Sequence, residues 1–236
     1  MLRFIDISGN NSLSPSDVKP SIDAVMIKAT EGAAYVSSAC DPDVQDARHD
    51  GIPWGFYHYA RNNDAVAEAA FFYQNCRNYF GEGIPCLDWE EGQSVAWVNE
   101  FVRRVHELSG VWPWIYASKA TFNENPGVEP NCGRWVAQWP GTSADTFSEA
   151  KTKAKPNLSE GLVCAWQFTS KGKLKGYSGN LDLNLFYGDA EAWGKYANPD
   201  SHSGDAGGSD DSNGCDVPAE TVLENDDYKV TIERKR

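Results

Sequence analysis

Short apolar runs, rich in β-branched and aromatic residues, recur along most of the chain and are separated by polar or turn-rich segments. Their length and composition are typical of buried β-strands. The pattern predicts eight strands: Leu2–Ile7, Ala24–Ala29, Pro53–Tyr59, Ile84–Trp89, Pro113–Ala117, Arg134–Trp139, Val163–Phe168 and Leu181–Phe186.

Two of the intervening segments have the pattern of helices. Asn63 or Asp64 can cap a helix that runs from Ala65 to about Tyr79. Ser94 can cap a second helix, whose apolar residues form one stripe that ends at Gly110. Alternating strands and helices indicate an α/β fold with a largely parallel sheet. Because the later helical patterns are shorter, we expect an irregular, TIM-barrel-like (β/α)-barrel with shortened or missing helices in the second half.

A change of composition marks the end of the predicted barrel. Residues 199–214 are almost only Ser, Gly, Asp and Asn, which cannot bury apolar surface. We therefore expect a barrel over residues 1–196 and a flexible linker over 197–214. Residues 215–236 contain one strand-like alternation, Tyr228–Ile232, and are too few for a core of their own. They are interpreted as a tail or as the start of a C-terminal wall-binding module.

Composition and charge narrow the possible partners. The chain has 236 residues, 41% hydrophobic and 12% aromatic, with a formal net charge of -13. Phosphate backbones and anionic membranes attract basic surfaces, so we expect no nucleic-acid partner. No apolar run approaches the ~20 residues of a membrane span, and no export signal precedes the first strand. We therefore expect no membrane insertion, and cytoplasmic production with release by lysis to act on the bacterial cell wall. A monomer is expected as well.

The six cysteines form no Cys-x-x-Cys pair, and the four histidines do not fall into a metal-binding spacing. The sequence therefore predicts neither a metal site nor a cofactor. Cys86 and Cys164 lie inside apolar runs and are expected to be buried free thiols. One disulfide bridge elsewhere remains an open alternative.

Polar residues stand where the predicted strands end, the position of active sites in barrels of this kind. Asp88 and Glu90 are spaced i, i+2, which on a strand places both carboxyl groups on one face. Two such close acids raise the pKa of one of them, which can then donate a proton. The alternative is a strand that runs into a solvated acidic turn. The residues placed at this edge are Asp6, Glu31, Asp88, Glu90, Gln138, Gln167 and Asp182.

Six motifs together carry a resemblance to a known family. They are Phe4-Ile5-Asp6-Ile7-Ser8, Val25 to Gly32, Gly55 to Ala60, Leu87-Asp88-Trp89-Glu90, Trp166-Gln167-Phe168 and Leu181-Asp182-Leu183-Asn184. In this order they resemble the family 25 glycoside hydrolases, which are lysozymes (N-acetylmuramidases) common among phage endolysins and cell-wall hydrolases. The resemblance covers about residues 1–196. It departs from the usual pattern at Asn10-Asn11 and at the bulky Trp89, and neither change removes a carboxylate.

The resemblance implies a peptidoglycan hydrolase that cleaves the β-1,4 bond between N-acetylmuramic acid and N-acetylglucosamine. Glu90 would be the general acid, its pKa raised by Asp88 and by enclosure in the cleft. Asp6 and Asp182 are the candidates for the second function, as nucleophile, as base for water or as a stabilising charge. A further alternative is attack by the substrate's own acetamido oxygen, oriented by an aspartate.

Aromatic and amide side chains near the same edge are expected to bind the sugar, because flat rings stack on pyranose faces and amides bond to hydroxyl groups. Glu31 can equally form a structural ion pair with Lys28. His58 lies on the opposite face from Tyr57 and is expected to be a core histidine. The expected substrate-binding residues are Tyr57, Tyr116, Gln138, Trp139, Gln167, Glu31 and Asn184.

Two other functions are compatible with a barrel of this composition. A family 18 chitinase would need a longer Asp-x-x-Asp-x-Asp-x-Glu run, and only the final Asp-x-Glu is present at Asp88. A non-hydrolytic wall-binding barrel is the second alternative. Because a charge of -13 gains little attraction from anionic wall polymers, we expect a wall-binding module beyond Arg236 to hold the enzyme on its substrate.

Overall fold

The computed structural model describes residues 1–11, 13–139 and 146–199, together with the backbone of two strands near the carboxyl terminus. The strands are β1 (Leu2–Ile7), β2 (Ala24–Glu31), β3 (Tyr35–Val36), β4 (Trp54–Tyr59), β5 (Ile84–Asp88), β6 (Trp114–Ser118), β7 (Arg134–Ala137), β8 (Val163–Gly172) and β9 (Leu181–Phe186). The helices are α1 (Cys40–Asp50), α2 (Ala65–Cys76), α3 (Val95–Ser109), α4 (Lys119–Glu124), α5 (Phe147–Ala150) and α6 (Ala190–Ala197), with a 3-10 helix over Pro15–Ser21.

Eight strands close into a barrel in the order β1, β2, β4, β5, β6, β7, β8, β9, because β1 pairs with both β2 and β9. The short β3 extends the sheet only beside the end of β2. From β1 through β8 neighbouring strands are parallel, whereas β9 is antiparallel to both β8 and β1. The α/β barrel fold predicted from the sequence is therefore confirmed.

The direction of β9 corrects one prediction. Asp182 was expected at the carboxyl end of a strand, and it is instead the second residue of β9. The connection over residues 173–180 is too short for the crossover helix that a parallel strand requires, so β9 returns antiparallel. Its amino end consequently lies beside the carboxyl ends of the other strands.

The helices that surround the barrel are long in the first half and short in the second, as predicted. The Asp64 side chain caps α2 by accepting from the amide of Ala67, and Ser94 caps α3 in the same way. Gly110 ends α3 with a φ of 75°, in the left-handed region that favours glycine. In the later units α4 and α5 are one or two turns long, and only a turn-rich connection joins β8 to β9.

Alternating strand residues face two separate cores, one between the sheet and the helices and one inside the barrel. Helix α6 closes the amino end of the barrel with Trp193. Its indole packs against Phe4, Trp114 and Phe186, and its Nε1 donates to the carbonyl of Trp54 at 3.2 Å. The opposite end of the barrel, where the parallel strands finish, remains open to polar side chains.

The five cysteines within the described residues are free and buried, which confirms the expected thiols; Cys215 lies outside those residues. Most of the predicted linker over 197–214 lies outside them as well. The chain divides into two compact units, Met1–His202 and Ser203–Arg236. The second contains an antiparallel hairpin of β10 (Glu220–Asn225) and β11 (Tyr228–Glu233), of which the sequence predicted only the later strand. Each helix of the described part is too short or too polar to cross a lipid bilayer.

Candidate active site

Two aspartates face each other where β1 and β9 meet. Asp6 is the next-to-last residue of β1 and stands directly opposite Asp182 in the antiparallel register. Directly opposed residues of an antiparallel pair have neighbouring side chains. The fold therefore brings together two carboxyl groups that are far apart in the sequence.

Asp88 and Glu90 bring two more carboxyl groups to the same end of the barrel. Asp88 is the last residue of β5 and is only 9% exposed, whereas Glu90 lies in the following turn and is exposed. The expectation that both stand on one strand is corrected, because β5 ends at Asp88. Trp89 between them points away from the acids into the outer core, where its Nε1 donates to the carbonyl of Gln93.

Burial and neighbouring negative charges raise the pKa of all four carboxyl groups. The pKa of Asp88 is raised well above its ordinary value by burial and then by the charges of Glu90 and Asp6. Its Oδ1 is buried without a hydrogen-bond partner among the described residues, as suits a protonated carboxyl group. The pKa of Glu90 is raised by loss of water and by Glu91, while Lys28 lowers it.

Asp6 and Asp182 differ in how the protein supports their charge. Burial raises the pKa of Asp6 to about 6, although two amide hydrogen bonds favour its charged form. The pKa of Asp182 rises to about 8 through burial and the charges of Asp6 and Glu90. Close carboxyl groups titrate as a pair. At neutral pH Asp6 is therefore the member that carries the charge.

A network of buried side chains orients Asp6. Its Oδ2 accepts from Asn184 Nδ2 at 2.8 Å and from Gln167 Nε2 at 3.1 Å. Each amide is fixed in turn by an aromatic donor: Trp135 Nε1 donates to the oxygen of Asn184, and the Tyr116 hydroxyl to the oxygen of Gln167, both at 2.8 Å. Each amide that donates to Asp6 is therefore held in place by a second hydrogen bond at its oxygen.

Tyr57 and Tyr116 show that the four acids surround one space. Burial raises the pKa of each phenol, and the charges of the four carboxyl groups raise it further. The strand register agrees: Tyr116 lies opposite Asp88 and donates to Gln167, which holds Asp6, and Asp6 faces Asp182, so Tyr116 stands at the end of the barrel that carries the four acids. Those acids are Asp6, Asp88, Glu90 and Asp182.

The other predicted binding residues fall into two groups. Trp139 and Gln138 follow the end of β7; Trp139 is 59% exposed, and the Gln138 side-chain oxygen has no partner within the described ranges. Gln167 and Asn184 are buried and occupied by Asp6 and the aromatic donors. Glu31 is paired with Lys28 at 2.5 Å and with Arg61 at 2.8 Å.

His58 is a buried core histidine, as predicted. Its Nδ1 lies 2.8 Å from the Thr30 hydroxyl and its Nε2 lies 2.9 Å from a carboxyl oxygen of the equally buried Glu68. Burial lowers the pKa of His58, so the ring is neutral and its Nε2–H donates to Glu68. Hydrogen bonds from His58, Arg61 and Asn63 outweigh the effect of burial and lower the pKa of Glu68.

Several residues of the site were not identified from the sequence. Trp135 has the spacing of an inward-facing strand residue, which could have placed it beside Asp6. Arg61 and Glu91 form an ion pair at 2.7 Å at the rim. The available signal was that Glu91 is the third acid of the run that begins at Asp88. Tyr59 also donates its hydroxyl to Glu91, at 2.9 Å.

The arrangement suits acid–base chemistry on a bound polar molecule. It combines carboxyl groups that hold protons near neutral pH with one oriented, charged carboxylate and aromatic walls. In the described part of the chain no three His, Cys, Asp or Glu residues are placed to hold a metal ion. A separate basic concavity on the outside of the barrel, lined by Arg3, Lys151 and Lys173, contains none of these acids.

Comparisons with known proteins agree with this geometry. Residues 5–177 match the family model described as glycosyl hydrolases family 25. The autolytic lysozyme of Clostridium acetobutylicum is 30% identical over 194 residues, covering 78% of this chain and 56% of that protein. Lysozyme M1 of Streptomyces globisporus is 28% identical over 214 residues, covering 80% and 69%. The chain therefore spans less than two thirds of the clostridial relative.

Among solved structures, the bacterial lysozyme from Streptomyces coelicolor has a similar fold. Its TM-score is 0.70 at 25% sequence identity, covering 84% of this chain and 97% of that chain. The similarity extends over nearly the whole of that protein.

Proposed function

This chain belongs to family 25 of the glycosyl hydrolases, and from that premise we propose that it is a muramidase that hydrolyses bacterial peptidoglycan. The bond cleaved is the β-1,4 linkage between N-acetylmuramic acid and N-acetylglucosamine. The observation that carries the proposal is the convergence of carboxyl groups at the open end of the barrel, where Asp6 faces Asp182 and where β5 ends at Asp88, opposite Tyr116 and two residues before Glu90. The relatives named lysozymes support the same substrate.

Glu90 is the general acid of the proposed reaction. It is the exposed member of the Asp-x-Glu pair, so a glycosidic oxygen can reach it, and its raised pKa keeps it protonated closer to neutral pH. Asp88 is buried beside it and holds its proton more firmly. Protonated Asp88 therefore adds no negative charge beside Glu90. The glycosidic oxygen takes its proton from Glu90.

Asp6 supplies the negative charge that the reaction needs on the other side of the bond. Positive charge develops on the sugar in the transition state, and a carboxylate already oriented by Asn184 and Gln167 stabilises it without reorganisation. The same carboxylate can orient the acetamido group of muramic acid as internal nucleophile. Asp182, whose pKa is raised to about 8, keeps its proton at neutral pH beside the charged Asp6 and completes the pair.

The sugar rings bind against the aromatic residues at the mouth. Tyr57 is half-buried among the acids, and Trp139 offers an exposed face at the end of β7. Gln138 stands beside Trp139, and its side-chain oxygen is buried without a hydrogen-bond partner among the described residues. Gln167 and Asn184 act on the substrate only through Asp6, because both amides are buried and already bonded.

The test is direct. Purified protein is incubated with peptidoglycan, and new reducing ends are identified by reduction and analysis of the released sugars; they are expected at muramic acid. The Glu90→Gln variant, which keeps shape and removes the proton donor, is expected to lose about 100-fold or more of the activity. A Glu90→Gln variant as active as the parent would refute the acid assignment. Binding to the wall without any new reducing end would instead identify a non-hydrolytic binding barrel.

A further inference from the structure

The turn that joins β4 to α2 is anchored on one buried carboxylate. Glu68 in the first turn of α2 is fully buried. It accepts from the backbone amides of Arg61 and Asn63 at 3.0 Å and from the Asn63 side chain at 2.9 Å. With the bond from His58, four donors satisfy its two oxygens. A buried charge with this many partners fixes the backbone of the turn.

The anchored turn delivers Arg61 to the rim of the acidic mouth. Its Nε and one terminal nitrogen donate to Glu31 at 3.0 and 2.8 Å, and its other terminal nitrogen donates to Glu91 at 2.7 Å. The planar guanidinium thus ties β2 to the turn that follows β5. A lysine in its place has one donor centre and cannot reproduce this geometry.

Glu91 is the immediate neighbour of the proposed acid and is held from three sides. Besides Arg61, the Tyr59 hydroxyl donates to its carboxylate at 2.9 Å, and Asn62 Nδ2 donates to its backbone carbonyl at 3.2 Å. All three partners come from β4 or from the turn anchored on Glu68. Because β5 has already ended at Asp88, these contacts define the path of the backbone that carries Glu90.

We propose that Arg61 is a positioning residue for the general acid, acting through Glu91, and that buried Glu68 sets its place. The inference rests on the proposed function of Glu90 and extends it to a second layer of residues. Arg61 holds the turn in which Glu90 stands and also neutralises the carboxylate next to it. Both effects are electrostatic and geometric, and neither requires Arg61 to contact the substrate.

The charge of Glu91 gives the proposal a directional prediction. Glu91 raises the pKa of Glu90 and Lys28 lowers it. Loss of Arg61 leaves the charge of Glu91 without a neutralising cation, so the pKa of Glu90 rises, whereas Glu91→Gln removes the like charge and lowers that pKa. The other ionisable groups that interact with Glu90 are Asp6, Asp88, Asp182, Tyr57, Tyr59 and Tyr116.

The experiment measures kcat, KM and the pH dependence of kcat on soluble peptidoglycan fragments, together with the pKa of Glu90 by carboxyl carbon NMR. In Arg61→Met, kcat is expected to fall about 10- to 100-fold with a smaller change in KM. The alkaline limb of kcat and the NMR pKa both move to higher pH. Glu91→Gln moves both to lower pH, and Arg61→Lys loses kcat while the alkaline limb stays in place.

Arg48→Met is the matched control. Arg48 also makes a bidentate ion pair, with Glu82, but at the closed end of the barrel beside Trp54. It is expected to change neither kcat nor the pKa of Glu90. Equal effects of Arg61→Met and Arg48→Met on kcat, or a Glu90 pKa that is the same in parent and Glu91→Gln, would overturn the proposal. A parent without muramidase activity would refute the proposed function, while the NMR titration still decides the coupling.

Discussion

At the scale of single residues, the site depends on how the protein holds the charge of Asp6. Asp6 is buried, and burial alone would keep it protonated; the amides of Asn184 and Gln167 oppose that by donating to its Oδ2. A hydrogen bond to an ionised group stabilises it by about 1.5–3 kcal/mol. The two amides therefore decide whether the site contains an anion at the pH where Glu90 still has its proton.

Asn184→Leu tests this balance. The variant removes one donor to Asp6, so the pKa of Asp6 rises and a higher pH is needed to form the anion. The acid limb of the pH profile of kcat is expected to move upward by about one pH unit, since one unit corresponds to 1.36 kcal/mol. The measurement is muramidase activity on peptidoglycan fragments from about pH 3 to 9.

Asn99→Leu serves as the control for this variant. Asn99 likewise uses both ends of its amide, donating to the carbonyl of Gly127 at 2.8 Å and accepting from the amide of Glu129 at 2.7 Å, but it lies on α3 outside the barrel. Its loss should lower stability and leave the acid limb in place. An acid limb that is unchanged in Asn184→Leu would mean that Asp6 is not the anion of the reaction.

The sequence revealed the acids of the site more readily than their supports. The carboxyl groups stand in short motifs at the ends of apolar runs, which local pattern can detect. Asn184 and Asp6 are 178 residues apart, and Glu91 and Arg61 are 30 apart, so their contacts exist only after the strands have paired. The register between paired strands decides which side chains meet in a buried amide network. The alternation along one strand predicts only the face on which each side chain lies.

At the scale of elements, the barrel is sealed at the end away from the acids. Helix α6 inserts Trp193, which is 2% exposed, against Phe4, Trp114 and Phe186. These rings come from β1, β6 and β9, so a single side chain connects strands from opposite sides of the barrel. Because these apolar rings close the amino end of the barrel, water and polar groups are confined to the carboxyl end.

Trp193→Ala is expected to destabilise the barrel by about 3–5 kcal/mol, because it leaves a large cavity among rings that cannot collapse. The Nε1 bond to the carbonyl of Trp54 is lost as well. For a domain of this size the melting temperature should fall by roughly 10 °C, measured by calorimetry. Trp193→Phe, which keeps most of the packing, should lose much less.

The exposed Trp139 provides the contrast. Trp139→Ala removes a residue that is 59% exposed, and it should leave the melting temperature within about 1 °C of the parent while raising KM. If Trp193→Ala melts with the parent, α6 does not contribute to the barrel in the way that its packing indicates.

The strands could be predicted because they are short, nearly continuous apolar runs that bury both faces, and the two long helices because each buries one regular face. Other elements lacked such a signal. Helix α1 is largely charged and buries only a few residues, among them Val44 and Ala47. Helix α6 is short and contains Gly194. The antiparallel direction of β9 could not be predicted from its own residues, because direction depends on the length of the connection and on closure with β1.

At the scale of the whole molecule, the acids of the site and the buried pair of Glu68 and His58 make stability depend on pH in opposite directions. The mouth gathers carboxyl groups whose pKa is raised, with that of Asp182 at about 8. The interior beside it contains Glu68 and His58, whose pKa values are lowered. A group with a raised pKa reduces stability as pH rises, whereas Glu68 and His58 reduce it as pH falls. These groups therefore lower the free energy of unfolding toward both high and low pH.

Asp182→Asn separates these contributions. In the unfolded chain Asp182 ionises near pH 4 and in the folded protein near pH 8, so the folded state binds the extra proton and stability declines between those values. The amide cannot ionise and removes that decline. Near pH 4 the variant should have the same melting temperature as the parent. At pH 8 its free energy of unfolding should be higher by about 1–2 kcal/mol, a modest gain because solvent screens the partly exposed Asp182. The melting temperature at pH 8 should therefore be roughly 2–6 °C higher. Activity should fall at the same time, since the group that weakens the fold also belongs to the site. Melting temperatures that rise equally at both pH values would show that Asp182 does not hold its proton in the folded protein.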